Sequence, residues 1–402
     1  MTTYSPLQHL KGLSGTLGAR LSGVEEFIDD ITSGCCCTDS KRACENLLGV
    51  IEDEVHKNID TFMSRIELAE FQGRTEFSFE DIESAIYADQ KLKNILRMLS
   101  SVHHHSLLKD AHSCLVHSLQ VLMHQNGQFL NNIQSQRAPA VREILPLCSL
   151  SGPQPGCQST GLDVIAVTLP YPDAVRVEVW PLLSHEFAHG FYRHKSSPDR
   201  PEKNYENEFR ADFYATLYMG PAYLMSFFNE VGRIPGRAKV RGFGVVGGGQ
   251  SHPYIELRLP LILDVLGKLL DFPHERILEF KSCIEPLYHY TDPELEKDSN
   301  YQVQMGVYHS VLKGYLADRE LTRLLTYNAM TFARYKKLPT LDDVGPKDMQ
   351  SGFDGRDVLN CLFKGKGTDV QTRTSEKDSK LVRDLIFGEG IRLKMFKGQK
   401  CV

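Results

Sequence analysis

The stretch from Ser184 to Asp212 restricts the possible folds most. It reads Ser-His-Glu-Phe-Ala-His-Gly and, after a polar loop, Asn-Glu-Phe-Arg-Ala-Asp. His185 and His189 stand four residues apart with Glu186 between them. On a helix an i, i+4 pair projects from one face, so both imidazoles reach one metal ion. The flanking Trp180, Leu182, Leu183, Phe187 and Phe191 are apolar, so the helix reads as buried although it carries three ionisable groups. Burying such groups is expensive unless they are paired or used. The chain must therefore bring a second element against this stripe.

A catalytic zinc takes three protein ligands and leaves one position for water. Glu208 is the expected third ligand, because Asp212 follows it by four residues on the same helical face. A metal-bound histidine usually donates its other ring N–H to a carboxylate, which fixes the tautomer. Asp212 is expected to accept that bond from His185 or His189. Glu206 is the alternative ligand, but two residues from Glu208 it points to another side of the helix. Glu186 falls beside the metal, placed as general base toward a water that the metal activates. The five-residue pattern also arises by chance in helical proteins. What supports it here is context: the apolar flanks, an upstream strand, and Glu208 with Asp212 at a workable distance.

Residues from about 15 to 135 read as almost wholly helical. Leu48, Ile51, Val55, Ile59, Phe62 and Ile66 recur at three- and four-residue steps, as do Leu108, Ala111, Leu115, Leu119 and Leu122. The Pro-, Gly- and Ser-rich texture of 139–162 marks a linker. The β-branched run Val164–Leu169 reads as a strand. Helices are expected over about 179–194, 205–219 and 253–270, and again through 271–335. Residues 338–357 and 364–380 look loop-like. The resulting expectation is a mostly α protein with a small β-sheet (α+β). Residues 1–138 would form a helical N-terminal bundle, 163–335 a compact core and 336–402 an extension.

The set His185-Glu186-x-x-His189 with Glu208-x-x-Ala211-Asp212 resembles the gluzincin metallopeptidases, whose third ligand is a glutamate on a second helix. Ser251-His252-Pro253-Tyr-Ile-Glu-Leu-Arg258 resembles the His-Pro-x-x-x-x-Arg element of gluzincins of the CAAX prenyl-protease and HtpX type. The resemblance spans roughly residues 164–260. It implies a zincin-like core with Val164–Leu169 as the edge strand that pairs with an extended peptide, a Zn2+ cofactor, a polypeptide substrate, His252 as oxyanion stabiliser and Arg258 as a supporting group behind the ligands. Those relatives carry transmembrane helices, and their gap between the second histidine and the glutamate is usually longer than the interval from His189 to Glu208. The shorter gap and Asn207-Glu208 are closer to thermolysin-like enzymes. A soluble minimal gluzincin is the expectation. The alternative is a catalytically silent or structural zinc protein serving as a regulatory module. Sensors of the ImmA/IrrE type would add a DNA-binding element, and no helix-turn-helix signature is present.

Composition narrows the partners. A formal net charge of −5 gives no reason to expect nucleic acid. The N-terminus lacks the basic and apolar regions of a secretory signal, and no apolar run reaches the roughly 20 residues of a membrane span. A cytoplasmic protein that does not engage membranes is the expectation, with the helical N-terminal domain a candidate site for a regulatory protein partner. The ten cysteines show no C-x-x-C spacing and read as thiols. Gly242-Phe-Gly244-Val-Val-Gly247 matches a dinucleotide fingerprint literally but is followed by more glycines and His252-Pro253, so it reads as a loop. His103-His104-His105, His112, Cys114 and His117 do not share one helical face and read as bundle histidines.

Overall fold

The computed structural model describes residues 38–74, 83–89, 111–137, 145–149, 156–159, 164–169, 176–192, 201–232, 253–284, 299–318, 328–350, 353–366 and 374–393, with scattered helical positions between 14 and 29 and near 91–95, 297, 322 and 326. Helix α1 (Thr38–Val50) runs through one π-helical stretch, Ile51–His56, into α2 (Lys57–Phe71). The long α3 (Ala111–Arg137) follows, then β1 (Leu145–Ser149), β2 (Gly156–Ser159) and β3 (Val164–Thr168). Next come α4 (Leu182–Tyr192), α5 (Pro201–Met219), α6 (Pro221–Gly232) and α7 (Ile255–Lys268). The chain continues through α8 (His274–Ile284), α9 (Ser299–Ala317), α10 (Phe332–Lys337), α11 (Pro346–Gln350), α12 (Gly355–Lys366) and α13 (Glu376–Arg392). The protein is mostly α with a small sheet. Among the described residues no helix is long and apolar enough to cross a membrane.

The sheet has the order β1-β3-β2, with β1 parallel and β2 antiparallel to β3. Side chains alternate across a strand, and here the alternation separates two cores. Val164 and Ala166 of β3, with Leu145 and Leu147 of β1, pack with α1 and α2 and the apolar positions between 17 and 28. Ile165 and Val167, with Cys148, face the larger core built from α3 to α13. Helix α3, within the stretch read as the N-terminal bundle, contributes Leu115, Leu119, Leu122 and Phe129 to that larger core.

Three expectations are corrected. β3 is the central strand, not an edge. Its unbroken Val-Ile-Ala-Val run is the mark of a strand buried on both faces. Two strands, β1 and β2, lie inside 139–162, which reads as linker; Pro146 is tolerated there because β1 is an outer strand. Its open side is occupied by α3: Gln120 Nε2 donates to the Pro146 carbonyl at 2.9 Å, and Cys148 N–H donates to Gln120 Oε1 at 2.8 Å.

The third correction concerns the C-terminal third, where α11 lies inside 338–357 and the ends of α12 and the start of α13 extend into the stretches 338–357 and 364–380 that read as loops. Asp354 caps α12: its Oδ1 accepts from the backbone N–H of Arg356 at 2.9 Å and of Asp357 at 3.3 Å. Asp357 Oδ2 in return accepts from Asp354 N–H at 2.9 Å, which completes a reciprocal capping box. Val358, Leu359, Leu362 and Phe363 of α12, with Val382 and Ile386 of α13, are buried.

Candidate metal centre

Helix α4 is held from both sides. On one side Gly190 lies so close to the sheet that a Cβ there would meet Ile165 Cγ2 at 2.4 Å. On the other, Asn126 Nδ2 of α3 donates to Ser184 Oγ at 2.6 Å, and the Tyr214 hydroxyl of α5 donates to Asn126 Oδ1 at 2.6 Å. These contacts fix the rotation of α4 about its axis, and that rotation decides where His185 and His189 point.

Both histidines point at α5. His185 Nε2 and His189 Nε2 are 2.8 Å apart. Glu208 Oε1 lies 3.0 Å from His189 Nε2, and Glu208 Oε2 lies 3.4 Å from His185 Nε2. All three residues are buried, and together they could hold a metal ion. The donor set fits: two imidazole nitrogens and a carboxylate suit a first-row cation. Ligand atoms around a tetrahedral metal with bonds of about 2.0–2.1 Å stand roughly 3.3 Å apart, near the spacings found here. Glu206 is turned away and accepts from Arg210 Nε at 2.9 Å.

The ring nitrogen facing away from this point is also engaged. His185 Nδ1 lies 2.9 Å from Asp212 Oδ1, and Asp212 is fully buried. A carboxylate only accepts, so Nδ1 carries a proton, and in the neutral ring the lone pair is then on Nε2, the nitrogen that would take a metal ion. Arg258 of α7 clamps Asp212 with two bonds, Nε to Oδ2 and Nη2 to Oδ1, each 2.7 Å, and its Nη2 lies 3.5 Å from Glu208 Oε2. The Phe227 ring lies 4.7 Å from the guanidinium carbon of Arg258.

Electrostatics matches the geometry. Glu208 and Asp212 place two negative charges in a buried site beside Arg258 and the two histidines. Burial opposes charge on His185, but Asp212 and Glu208 outweigh it and raise its pKa to about 9. Burial likewise disfavours the Asp212 and Glu208 anions, yet Arg258 and His185 bring Asp212 down to about 2, and His189, His185 and Arg258 hold Glu208 well below the usual carboxylate range.

Glu186 is half-buried on α4. At 100° per residue it sits about 60° around the helix from His189, flanking the ligand stripe. His252 lies outside the described residues, as do His103–His105, His194 and the glycine-rich 242–249 segment. Tyr223 of α6 was not foreseen from the sequence. Its hydroxyl donates to Asp212 Oδ1 at 2.5 Å and lies 3.1 Å from His185 Nδ1, with its ring parallel to the imidazole within 10°. No motif marks it, because it reaches the site only through the turn at Gly220 that folds α6 back on α5.

Against known protein families, curated proteins and solved structures, the chain has no match.

Proposed function

We propose that this protein is a zinc-dependent metallopeptidase of the gluzincin kind, hydrolysing peptide bonds with Glu186 as general base. The observation that supports it is the convergence of His185 Nε2, His189 Nε2 and the Glu208 carboxylate at one buried point, with a second carboxylate, Glu186, on the same helix. A zinc ion held there would polarise a substrate carbonyl and lower the pKa of a water toward ~7. Glu186 would take that water's proton and return it to the leaving amine. Asp212 keeps the His185 proton on Nδ1, and Arg258 keeps Asp212 ionised and oriented. An extended substrate would pair with β2, the outer strand beside α4, since β3 is internal and α3 already bonds β1. His252 belongs to this reading only through the resemblance.

The test is hydrolysis of a mixed peptide library by zinc-loaded protein beside Glu186→Gln. Cleavage by the wild type, with loss of at least 100-fold in the variant at unchanged zinc content, is expected. Equal cleavage by both proteins contradicts the general-base role. A zinc-loaded wild type that cleaves nothing favours the alternative, a regulatory protein whose zinc site is structural.

A further inference from the structure

The Asp212 carboxylate does more than orient one histidine. Its Oδ1 accepts from the Tyr223 hydroxyl at 2.5 Å and from Arg258 Nη2 at 2.7 Å and lies 2.9 Å from His185 Nδ1, while Oδ2 accepts from Arg258 Nε at 2.7 Å. Three donors thus converge on Oδ1 and one on Oδ2. Tyr223 is the one member of this set that touches both Asp212 and the imidazole. A carboxylate can only accept, so the Tyr223 hydroxyl gives its proton to Asp212 Oδ1. Its oxygen lone pairs then face the His185 Nδ1 proton. The aromatic ring is completely buried and lies parallel to the imidazole, with the centroids 6.2 Å apart.

We infer that Tyr223 is a positioning residue for the metal centre: its hydroxyl bridges His185 Nδ1–H and Asp212, and so holds the His185 Nε2 lone pair on the metal. This rests on the reading of His185, His189 and Glu208 as metal ligands, and is independent of whether the protein cleaves peptides. The group sits on α6, outside every recognisable motif, so the site draws on α6 as well as on the two ligand helices and on α7, which supplies Arg258.

Tyr223→Phe removes the hydroxyl and keeps the ring. The measurement is zinc affinity by chelator competition for the full chain, with the visible spectrum of the cobalt(II) form, beside Tyr308→Phe as a control. Tyr308 donates to Asp264 at 2.6 Å on another surface and tests the generic effect of losing a part-buried hydroxyl. Tyr223→Phe is expected to weaken zinc binding 10- to 100-fold, the range for partners of metal ligands, and to shift the cobalt spectrum. Tyr308→Phe is expected to change neither. Unchanged affinity and spectrum in a folded Tyr223→Phe protein overturn the inference alone. A wild type that binds no zinc overturns it together with the ligand set. Should Tyr223→Phe fail to fold, proton NMR of the zinc-loaded wild type decides. A cross-peak between the Tyr223 hydroxyl and His185 Nδ1 protons is expected, and a resolved Nδ1 proton lacking it overturns the bridge.

Discussion

Asp212 Oδ1 lies 2.9 Å from His185 Nδ1, on the opposite edge of the ring from the nitrogen that faces Glu208. This pairing sets which imidazole nitrogen carries the lone pair. Asp212→Asn should therefore weaken metal binding 10- to 100-fold without removing it. Asp212→Asn and Asp212→Ala should each also destabilise the fold by about 3–5 kcal/mol, because both leave the buried Arg258 guanidinium without its main counter-charge. Chelator competition reads the first effect and urea unfolding the second. Wild-type stability in both variants would contradict the counter-charge role of Asp212.

Gly190 sets how closely α4 approaches β3. Replacing a helical glycine with alanine ordinarily stabilises by up to about 1 kcal/mol. At Gly190 the sign should reverse, since the new methyl would meet Ile165 Cγ2 at 2.4 Å. A net loss of roughly 1–3 kcal/mol is expected in thermal or urea unfolding. Gly190→Ala equal to or more stable than wild type would show that the helix and sheet are not locked together.

His117 on α3 lies against Phe387 of α13, with ring centroids 6.0 Å apart. Burial lowers its pKa from 6.5 to about 4. The unfolded chain therefore takes up the proton first as the pH falls. The stability contribution is complete above pH 6.5 and is lost progressively down to about pH 4. The window corresponds to roughly 3 kcal/mol. His117→Phe should flatten it relative to wild type in urea titrations at pH 7 and pH 5. Parallel losses in the two proteins would contradict the assignment.

The cap of α12 is tied to α10 by charge. Arg334 Nε donates to Asp357 Oδ1 at 2.7 Å and Arg334 Nη2 to Asp354 Oδ2 at 2.9 Å. Burial and the neighbouring Asp354 charge raise the Asp357 pKa, and Arg334 is the group that opposes this. Arg334→Ala should cost about 3 kcal/mol. A shift below about 1 kcal/mol would show that Arg356, whose Nη2 also donates to Asp354 Oδ2 at 2.6 Å, carries the cap alone.

The helical stripes and the four-residue steps His185–His189 and Glu208–Asp212 were legible in the sequence because periodicity reports directly on which face is buried. Glu208 could be preferred over Glu206 for the same reason, and the pairing of Glu206 with Arg210 agrees. The sheet was legible only as one strand. Pro146 and the glycines around β2 carry loop chemistry, and the strands form because Gln120 and β3 supply their partners from elsewhere in the chain. Asp354-x-x-Asp357 was a readable capping signal, but the glycine at 355 and the surrounding polar residues masked the helix behind it. Tyr223 had no local signature at all. Its role comes from the fold of α6 onto α5, a long-range contact that spacing does not encode.

The central claim is that His185, His189 and Glu208 hold one metal ion. The most direct measurement is metal content by mass spectrometry of the purified wild type, His189→Ala, Glu208→Ala and Glu206→Ala. About one zinc per chain in the wild type and Glu206→Ala, with loss in His189→Ala and Glu208→Ala, is the expected result. Wild-type protein that takes up no zinc, or folded ligand variants that retain it, would contradict the account.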